Sequence, residues 1–164
     1  MPNVANLMDR SVPRPVLDAL RSAALVASRE TVKVQELYLV GGMVRDLVRG
    51  ESSADIDLSV VGNGPSYATA LSNELDGQVT KVSKFGTAAI KTGTLTIDVA
   101  TARIETYEHP GALPNVMPSG ITEDLARRDF TINAMAIDLS SNSWGELIDP
   151  HGGMSDLMMK RIKT

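Results

Sequence analysis

The chain has 164 residues, of which 43% are hydrophobic and 22% are charged, and its formal net charge is -4 at pH 7. This length and composition predict one domain with a real hydrophobic core, or one domain with a short extension. The acidic balance argues against a surface that holds RNA by its own charge. An RNA substrate would need another domain or a partner for most of its affinity.

Cysteine is absent, and histidine occurs only as His109 and His151. These counts exclude disulfides and thiolate metal sites and argue against a histidine-rich zinc site. Any bound metal is therefore expected to be a hard cation on oxygen ligands. The sequence contains no apolar run of membrane-spanning length, and its N-terminus lacks the basic region and apolar core of a signal peptide. We predict a cytoplasmic protein with no membrane partner.

The first half of the chain alternates between helical and extended patterns. Apolar residues recur at helical spacing in its helices, and polar and apolar residues alternate in its second strand. Its predicted elements are a loose leader over residues 1–12, a helix over Pro13–Glu30, a strand over Leu37–Val40, a helix from Gly41-Gly42 to Val48, a strand over Asp55–Val61, a turn over Gly62–Pro65 and a helix over Ser66–Leu75.

The second half contains a predicted hairpin and a long loop. The loop, Glu105–Gly120, has 16 residues, and structureless loops of this length are usually functional or disordered. The other predicted elements are the hairpin of Thr87–Lys91 and Leu95–Val99, a helix over Thr122–Arg128, a strand over Ala134–Leu139 paired with Glu146–Ile148, and a helical or extended end over Ser155–Lys163.

Three aspartates are predicted to lie on one face of the sheet. Asp55 and Asp57 are two residues apart on a strand, and Asp98 occupies the equivalent face of a later strand. Neighbouring carboxylates repel unless a cation lies between them. Such a site suits two Mg²⁺ ions, one to activate an attacking hydroxyl and one to hold a triphosphate. A short Asp-x-Asp motif on its own more often marks ordinary polar residues on the solvated face of a sheet.

A glycine pair, Gly41-Gly42, joins the first strand to the next helix. Glycine lets the backbone approach a ligand closely, and the N–H groups at a helix start attract anions. Arg45 follows one turn later and could add a bidentate contact to a phosphate. The alternative without a ligand is a tight strand-to-helix turn followed by a surface arginine. The chain has no Gly-Lys-Ser/Thr phosphate loop, and Gly62–Tyr67 lacks the third glycine of a dinucleotide fingerprint.

The segment Thr122–Met135 is a second polar cluster. Acids in the first turn of its helix and arginines in the last match the helix dipole, which is a sufficient explanation for many such helices. Beyond the helix, Asp129, Thr131 and Asn133 alternate with apolar residues, which predicts a polar stripe that enters a buried strand. Asn133 could contact a ribose hydroxyl, and Arg128 a phosphate.

Taken together, these segments resemble the head domain of the class II tRNA nucleotidyltransferase (CCA-adding enzyme) and bacterial poly(A) polymerase family. The resemblance covers residues 36–164. It is carried in order by Leu39–Asp46, Asp55–Leu58, Asp98–Glu105, Arg127–Met135 and the hinge-like Asp149–Leu157.

The resemblance implies an α+β nucleotidyltransferase fold, the palm fold of the DNA polymerase beta superfamily, with a mixed sheet of about five strands and flanking helices. It divides the chain into an N-terminal leader and helix over residues 1–35, a head domain over 36–150, and the start of a hinge to a neck domain over 151–164. The loop Glu105–Gly120 matches the region of the family's flexible loop.

The resemblance also implies the chemistry. In the family, the 3′ hydroxyl of tRNA attacks the α-phosphate of CTP or ATP, and pyrophosphate leaves. The implied roles are two Mg²⁺ ions on Asp55, Asp57 and Asp98, the triphosphate near Gly41, Gly42 and Arg45, and the sugar and phosphates near Arg128 and Asn133.

The sequence departs from the family pattern in one respect, and several alternative functions stay open. The family continues into a neck with a Glu-Asp-x-x-Arg motif that pairs with the incoming base, whereas this sequence ends at Thr164. We therefore expect a fragment that selects bases poorly and has little activity of its own. The alternatives are a poly(A) polymerase head, a catalytically silent nucleotide-binding module, and a stand-alone nucleotidyltransferase, against which the Arg127–Ala134 segment speaks. The sequence leaves open whether C, A or both are added, and also the oligomeric state.

Overall fold

The computed structural model describes residues 2–51 and 53–164. Within these residues, the strands are β1 (Val34–Val40), β2 (Ile56–Gly62), β3 (Gln78–Ser83), β4 (Thr87–Thr92), β5 (Leu95–Thr101), β6 (Arg103–Thr106), β7 (Asn115–Pro118), β8 (Ala136–Asp138) and β9 (Leu147–Ile148). The helices are α1 (Ala5–Ser11), α2 (Arg14–Ala27), α3 (Gly42–Val48), α4 (Gly64–Glu74), α5 (Ile121–Ala126) and α6 (Gly153–Met158), with 3₁₀ turns at Glu30–Val32 and Thr131–Asn133.

Seven strands form one mixed sheet in the order β3-β4-β5-β2-β1-β8-β9. β2 and β5 run parallel, and the other neighbours pair antiparallel. Alternation explains the two faces of β2, because its apolar residues Ile56, Leu58 and Val60 are all buried in the main core. The helical side of that core is formed by apolar residues of α1, α2, α3 and α4.

The opposite face of the sheet is covered only in part. There α5 packs Ile121 and Leu125 against Tyr38 and Val40 of β1 and against Ala136 of β8. The part of this face formed by β2, β5 and β4 carries Asp57 and Asp98 and remains open as a cleft. The α+β architecture is as predicted, with seven strands in place of about five.

The prediction of a loose N-terminal leader was wrong. Met8, on α1, is completely buried. The Val4 N–H donates to the Gly145 carbonyl at 2.7 Å, and the Leu147 N–H donates to the Pro2 carbonyl at 2.9 Å. A helix of seven residues has little stability alone, so these distant partners, which no local pattern reports, hold it in place.

The prediction of a structureless loop over Glu105–Gly120 was also wrong in part. β6 and β7 pair as an antiparallel hairpin within and beside this range. Arg103 and Arg127 donate to the Glu105 carboxylate at 2.8 and 3.0 Å, which ties the hairpin to the end of α5. The prediction also missed β3, the outer strand of the sheet, whose residues are mostly exposed and therefore lack a clear apolar alternation.

The strand predicted to begin at Ala134 exists, as β8, and pairs with β9 as expected. No helix in the part of the chain that the structure describes is long and apolar enough to cross a bilayer.

Candidate active site

Asp57 and Asp98 are direct neighbours across the parallel pair of β2 and β5. Side chains of such register partners project to the same face of a sheet, with their strands about 4.8 Å apart. Asp98 is exposed and Asp57 is half-buried. Asp55 is exposed and lies one residue before β2 begins. Strand register therefore brings two of the three predicted carboxylates together and leaves the third at the strand entrance.

Burial raises the pKa of Asp57 above its ordinary value, and the charges of Asp98 and Asp55 add to that effect. The guanidinium of Arg128 acts in the opposite direction but does not outweigh them. A carboxylate whose neighbours are also carboxylates is stabilised in its charged form by an added cation. The electrostatics of Asp57 therefore favour a positively charged ligand at this point.

Gly41 is the residue that lets the turn after β1 approach Asp57. Its φ of 78° lies in the left-handed region that favours glycine. A Cβ at this position would lie 3.0 Å from Oδ2 of Asp57 and 3.9 Å from Nη1 of Arg128. The missing side chain leaves the space in which Asp57 and Arg128 approach the backbone.

Arg45 lies one turn into α3 and folds back over Gly42. A Cβ on Gly42 would lie 3.5 Å from Nη2 of Arg45. The guanidinium is fixed by a 2.8 Å ion pair with Asp46 and by a 3.0 Å hydrogen bond from Nη1 to Oδ1 of Asn133. The structure thus brings together Gly42, Arg45 and Asn133, of which Arg45 and Asn133 are 88 residues apart in the sequence.

Arg128 lies just beyond the end of α5 and reaches the same turn. Its Nη2 donates to Oδ2 of Asp124 at 3.1 Å. Its Nε is buried and has no hydrogen-bond partner among the described residues. An unsatisfied buried donor is costly unless a ligand or water completes it, which makes Arg128 a candidate contact for an anion.

Asp124 is a residue beside the site that the sequence prediction missed. It is fully buried and accepts hydrogen bonds from Arg127, Arg128 and Ser59, at 2.8, 3.1 and 3.3 Å. Burial raises its pKa, but the charges of Arg128 and Arg127 outweigh burial and hold that pKa below its usual range. The available signal was the spacing of Asp124 to the two arginines at three and four residues, which places all three on one side of a helix.

The predicted polar stripe over Asp129, Thr131 and Asn133 does not exist as a strand. Phe130 has a φ of 61°, and a 3₁₀ turn follows it, so side chains two apart do not share a face. Thr131 is buried and donates to Asp156 of α6 at 2.7 Å, whereas Asn133 meets Arg45 and Asp129 is exposed. The three residues therefore have three separate environments.

A cleft of about 330 Å³ lies over the carboxylates and is lined in part by Asp57, Asp98, Lys81, Ala89 and Arg128. Across residues 2–51 and 53–164, no three His, Cys, Asp or Glu side chains converge closely enough to enclose a metal ion. The donors that do meet are carboxylate oxygens, which suit hard divalent cations such as Mg²⁺. The site fits a cation shared between Asp57, Asp98 and further ligands such as water or a substrate phosphate.

Residues 37–163 match the poly A polymerase head domain family. The chain is 44% identical over 98% of its length to an A-adding tRNA nucleotidyltransferase of Geobacter sulfurreducens, and covers 18% of that protein. It is 40% identical over 94% of its length to an A-adding tRNA nucleotidyltransferase of Halalkalibacterium halodurans, and covers 36% of that protein.

Solved structures agree with these relatives. An apo CCA-adding enzyme superposes with a TM-score of 0.90 at 39% identity, over 99% of this chain and 38% of the other. A Thermotoga maritima CCA-adding enzyme complexed with tRNA superposes with a TM-score of 0.83 at 36% identity, over 99% of this chain and 36% of the other.

The chain therefore spans between about a fifth and two fifths of the length of these proteins. Its seven-stranded mixed sheet and flanking helices match the heads of CCA-adding enzymes, which confirms the predicted nucleotidyltransferase fold. By its sequence match and its fold, the chain belongs to the poly A polymerase head domain family.

Proposed function

We propose that this chain is the catalytic head of a tRNA nucleotidyltransferase, which transfers AMP or CMP from ATP or CTP to the 3′ end of tRNA and releases pyrophosphate. The observation that carries the proposal is the register pair Asp57 and Asp98, beside a glycine turn and two arginines. Support also comes from relatives named as tRNA nucleotidyltransferases and from similar structures in complex with ATP, CTP and tRNA.

AMP is the favoured transferred group. Three relatives at 44%, 40% and 47% identity are A-adding enzymes. A CC-adding enzyme of Deinococcus radiodurans is 35% identical, and a multifunctional CCA protein of Xylella fastidiosa is 37% identical. Addition of A to RNA ends by a poly(A) polymerase is the second candidate, because the matched family takes its name from that activity.

Each residue has a role in this proposal. Asp57, Asp98 and Asp55 hold divalent cations, two Mg²⁺ ions in the full complement. When bound, these cations would lower the pKa of the attacking hydroxyl and neutralise the triphosphate. Gly41 and Gly42 let Asp57, Arg128 and Arg45 lie close to the turn where the phosphates would bind.

Arg45 and Arg128 contact the phosphates. Arg128 has an unpartnered buried Nε within the described residues, and Arg45 is held in place by Asp46. Asn133, oriented by its hydrogen bond from Arg45, contacts the ribose. Cytoplasmic location and a division into residues 1–35, 36–150 and 151–164 belong to the same proposal, with base selection in domains beyond the head.

The test is calorimetric titration of ATP and CTP into the chain with and without Mg²⁺. We expect nucleotide binding that requires the cation, and we expect Asp57→Asn with Asp98→Asn to abolish the cation requirement together with most of the affinity. Asp18→Asn, on the exposed side of α2, removes one negative charge elsewhere and serves as the control. Full Mg²⁺-dependent binding by the double variant would show that the carboxylates are not the cation site.

A further test concerns transfer itself. The attacking hydroxyl must be held within about 3–3.5 Å of the α-phosphate, which positioning domains normally achieve. We expect the chain to add labelled AMP to tRNA negligibly by itself. Joined to the segment that follows the matched region in the Halalkalibacterium halodurans relative, it should regain addition. Efficient, base-selective addition by the chain alone would place base recognition within the head.

A further inference from the structure

The hairpin of β3 and β4 is basic, although the chain as a whole is acidic. Residues 78–92 carry three lysines, Lys81, Lys84 and Lys91, and no Asp or Glu, while the net charge of the chain is -4. β3 is the outer strand of the sheet, so this hairpin forms a sheet edge. Local positive charge on such an edge attracts a polyanion even when the whole molecule is negative.

Lys81 lies in the same row across the sheet as the two paired aspartates. Register partners on neighbouring strands form this row, which runs through Lys81, Ala89, Asp98 and Asp57. Because register partners project to one face, Lys81 stands on the carboxylate face. Lys91 is two residues from Ala89 on β4 and projects to that face as well.

The space between Lys81 and the aspartates is open. Lys81, Ala89, Asp98 and Asp57 all line the cleft of about 330 Å³, and the methyl group of Ala89 fills little of it. Both Lys81 and Lys91 are exposed. Among the described residues, neither forms an ion pair with an Asp or Glu, so both charges are available to a ligand.

In-line transfer places the attacking and leaving groups on opposite sides of the reacting phosphorus. In phosphoryl transfer the attacking and leaving oxygens are roughly in line. The turn at Gly41 follows β1, on one side of Asp57, and the proposed function puts the leaving pyrophosphate there with Arg45. The sheet order puts β5, β4 and β3 on the other side of Asp57. The attacking hydroxyl therefore enters from the side of Asp98 and Lys81.

The geometry points to Lys81 and Lys91 as the residues that hold the backbone phosphates of the acceptor RNA, immediately upstream of its attacking 3′ hydroxyl. This inference rests on the proposed nucleotidyl transfer and adds a site for the second substrate on the head itself. A lysine binds phosphate as a point charge on a flexible stem. Phosphate contacts position a nucleic acid without reading its sequence, so the site holds acceptors that end in different bases.

The test is fluorescence anisotropy of a short, labelled, single-stranded RNA with a free 3′ hydroxyl, titrated with the full chain between about 20 and about 200 mM salt. We expect weak binding that falls with salt. Lys81→Ala with Lys91→Ala should weaken binding at low salt at least about fivefold. It should also reduce the slope of log affinity against log salt by about 1.4, because each single-strand phosphate contact contributes about 0.7.

The matched control is Lys33→Ala with Lys84→Ala, which removes the same two charges from other positions. Lys33 precedes β1, and Lys84 is held over the Phe85 ring at 5.1 Å from its centroid. We expect this double variant to bind RNA more tightly than the Lys81/Lys91 variant, and within about twofold of the parent at about 200 mM salt, where the Debye length is below about 10 Å and charges farther apart are largely screened.

ATP titrations in Mg²⁺ separate this inference from the proposed function. The parent and both double variants should bind ATP with equal affinity. If the parent itself does not bind ATP, that result counts against the proposed function and not against the lysine assignment. Three results would overturn the lysine assignment: RNA binding by the Lys81/Lys91 variant equal to that of the control, no salt-dependent RNA binding by the parent, or a loss of ATP affinity in place of RNA affinity.

Discussion

Two regions meet at Arg128, and they shift the pKa of a buried aspartate in opposite directions. On one side lies Asp57, whose pKa is raised by burial and by neighbouring carboxylates. On the other lies Asp124, more deeply buried, whose pKa is lowered by Arg128 and Arg127 despite its burial. Asp124 accepts hydrogen bonds from several donors, whereas at Asp57 the single charge of Arg128 does not offset burial and the neighbouring carboxylates. The first region supports the arginines, and the second is left to be completed by a ligand.

Asp124→Asn removes the charge at the centre of the hydrogen-bonded region and should lower the stability of the fold more than any other variant considered. It removes the charge that compensates two arginines whose side chains are only 23% and 21% exposed. Loss of one partner of a buried ion pair costs about 3 kcal/mol at the lower end of the usual range, and we expect that loss in urea unfolding. Asp18→Asn, on an exposed helix face, should change stability by less than about 0.5 kcal/mol. Equal effects of the two variants would refute the structural role of Asp124.

Gly41→Ala tests the crowded approach on the Asp57 side. The φ of 78° and ψ of -145° at Gly41 cost a non-glycine residue about 1–3 kcal/mol, and here the new Cβ would also meet Asp57 Oδ2 at 3.0 Å. We expect a loss of stability of about 2 kcal/mol and loss of nucleotide binding in the same titration. Gly50→Ala is the matched control, because Gly50 has a φ of 77° and a Cβ there meets nothing within 4 Å. If both variants lose nucleotide binding, the close approach at Gly41 is not the cause.

Arg45→Ala and Arg128→Ala compare two arginines. Arg45 belongs to the glycine turn alone, whereas Arg128 lies between the Asp57 and Asp124 regions. Each should weaken triphosphate binding about tenfold, since a hydrogen bond to a charged group contributes about 1.5 kcal/mol or more. The loss should be similar for ATP, CTP, GTP and UTP, because phosphate contacts carry no base information. Arg128→Ala should in addition destabilise the fold, as it leaves Asp124 with one arginine fewer. A loss confined to one nucleotide would contradict the assigned phosphate contacts.

Asp57→Asn should change the stability of the fold least, and it should stabilise the chain where the other variants destabilise it. A folded-state pKa above the unfolded value means that the folded chain binds more protons, so stability falls as pH rises through that interval. Removing the charge should therefore raise the Tm near neutral pH by about 2 °C without metal. Added Mg²⁺ should stabilise the parent chain and not the variant.

The pH profile sharpens the contrast between the two aspartates. The Asp124 pKa is lowered, so its contribution to stability is present above the unfolded pKa and is lost as pH falls through the folded value. The gain from Asp57→Asn should thus grow as pH rises from about 4, and the penalty of Asp124→Asn should shrink below about 4. Parallel profiles for the two variants would mean that the two regions do not differ in this way.

The sequence predicted that Asp57 and Asp98 share one face of the sheet, because that placement depends on local alternation, whereas Asp55 lies before the strand. Asp57 and Asp98 each occupy the polar face of a strand, and strand register does the rest. The arginine region was predicted less well, because the positions of Arg45 and Arg128 depend on Asn133 and Asp124, contacts that local periodicity does not report. The left-handed Phe130 likewise replaced a predicted strand with a 3₁₀ turn, since its backbone conformation is set by its surroundings.

The N-terminal residues have a consequence for the two edges of the main sheet. Residues near Asn3 bridge to Glu146, with the Pro2 carbonyl and the Val4 N–H bonded beside β9, so that the outer strand is capped by the chain itself. The opposite edge, β3, is guarded by exposed lysine, a common protection against strand addition. Removal of residues 2–12 would uncap β9 and expose unpaired backbone groups, which gives the protein a route to edge-to-edge self-association that the lysine-bearing edge resists.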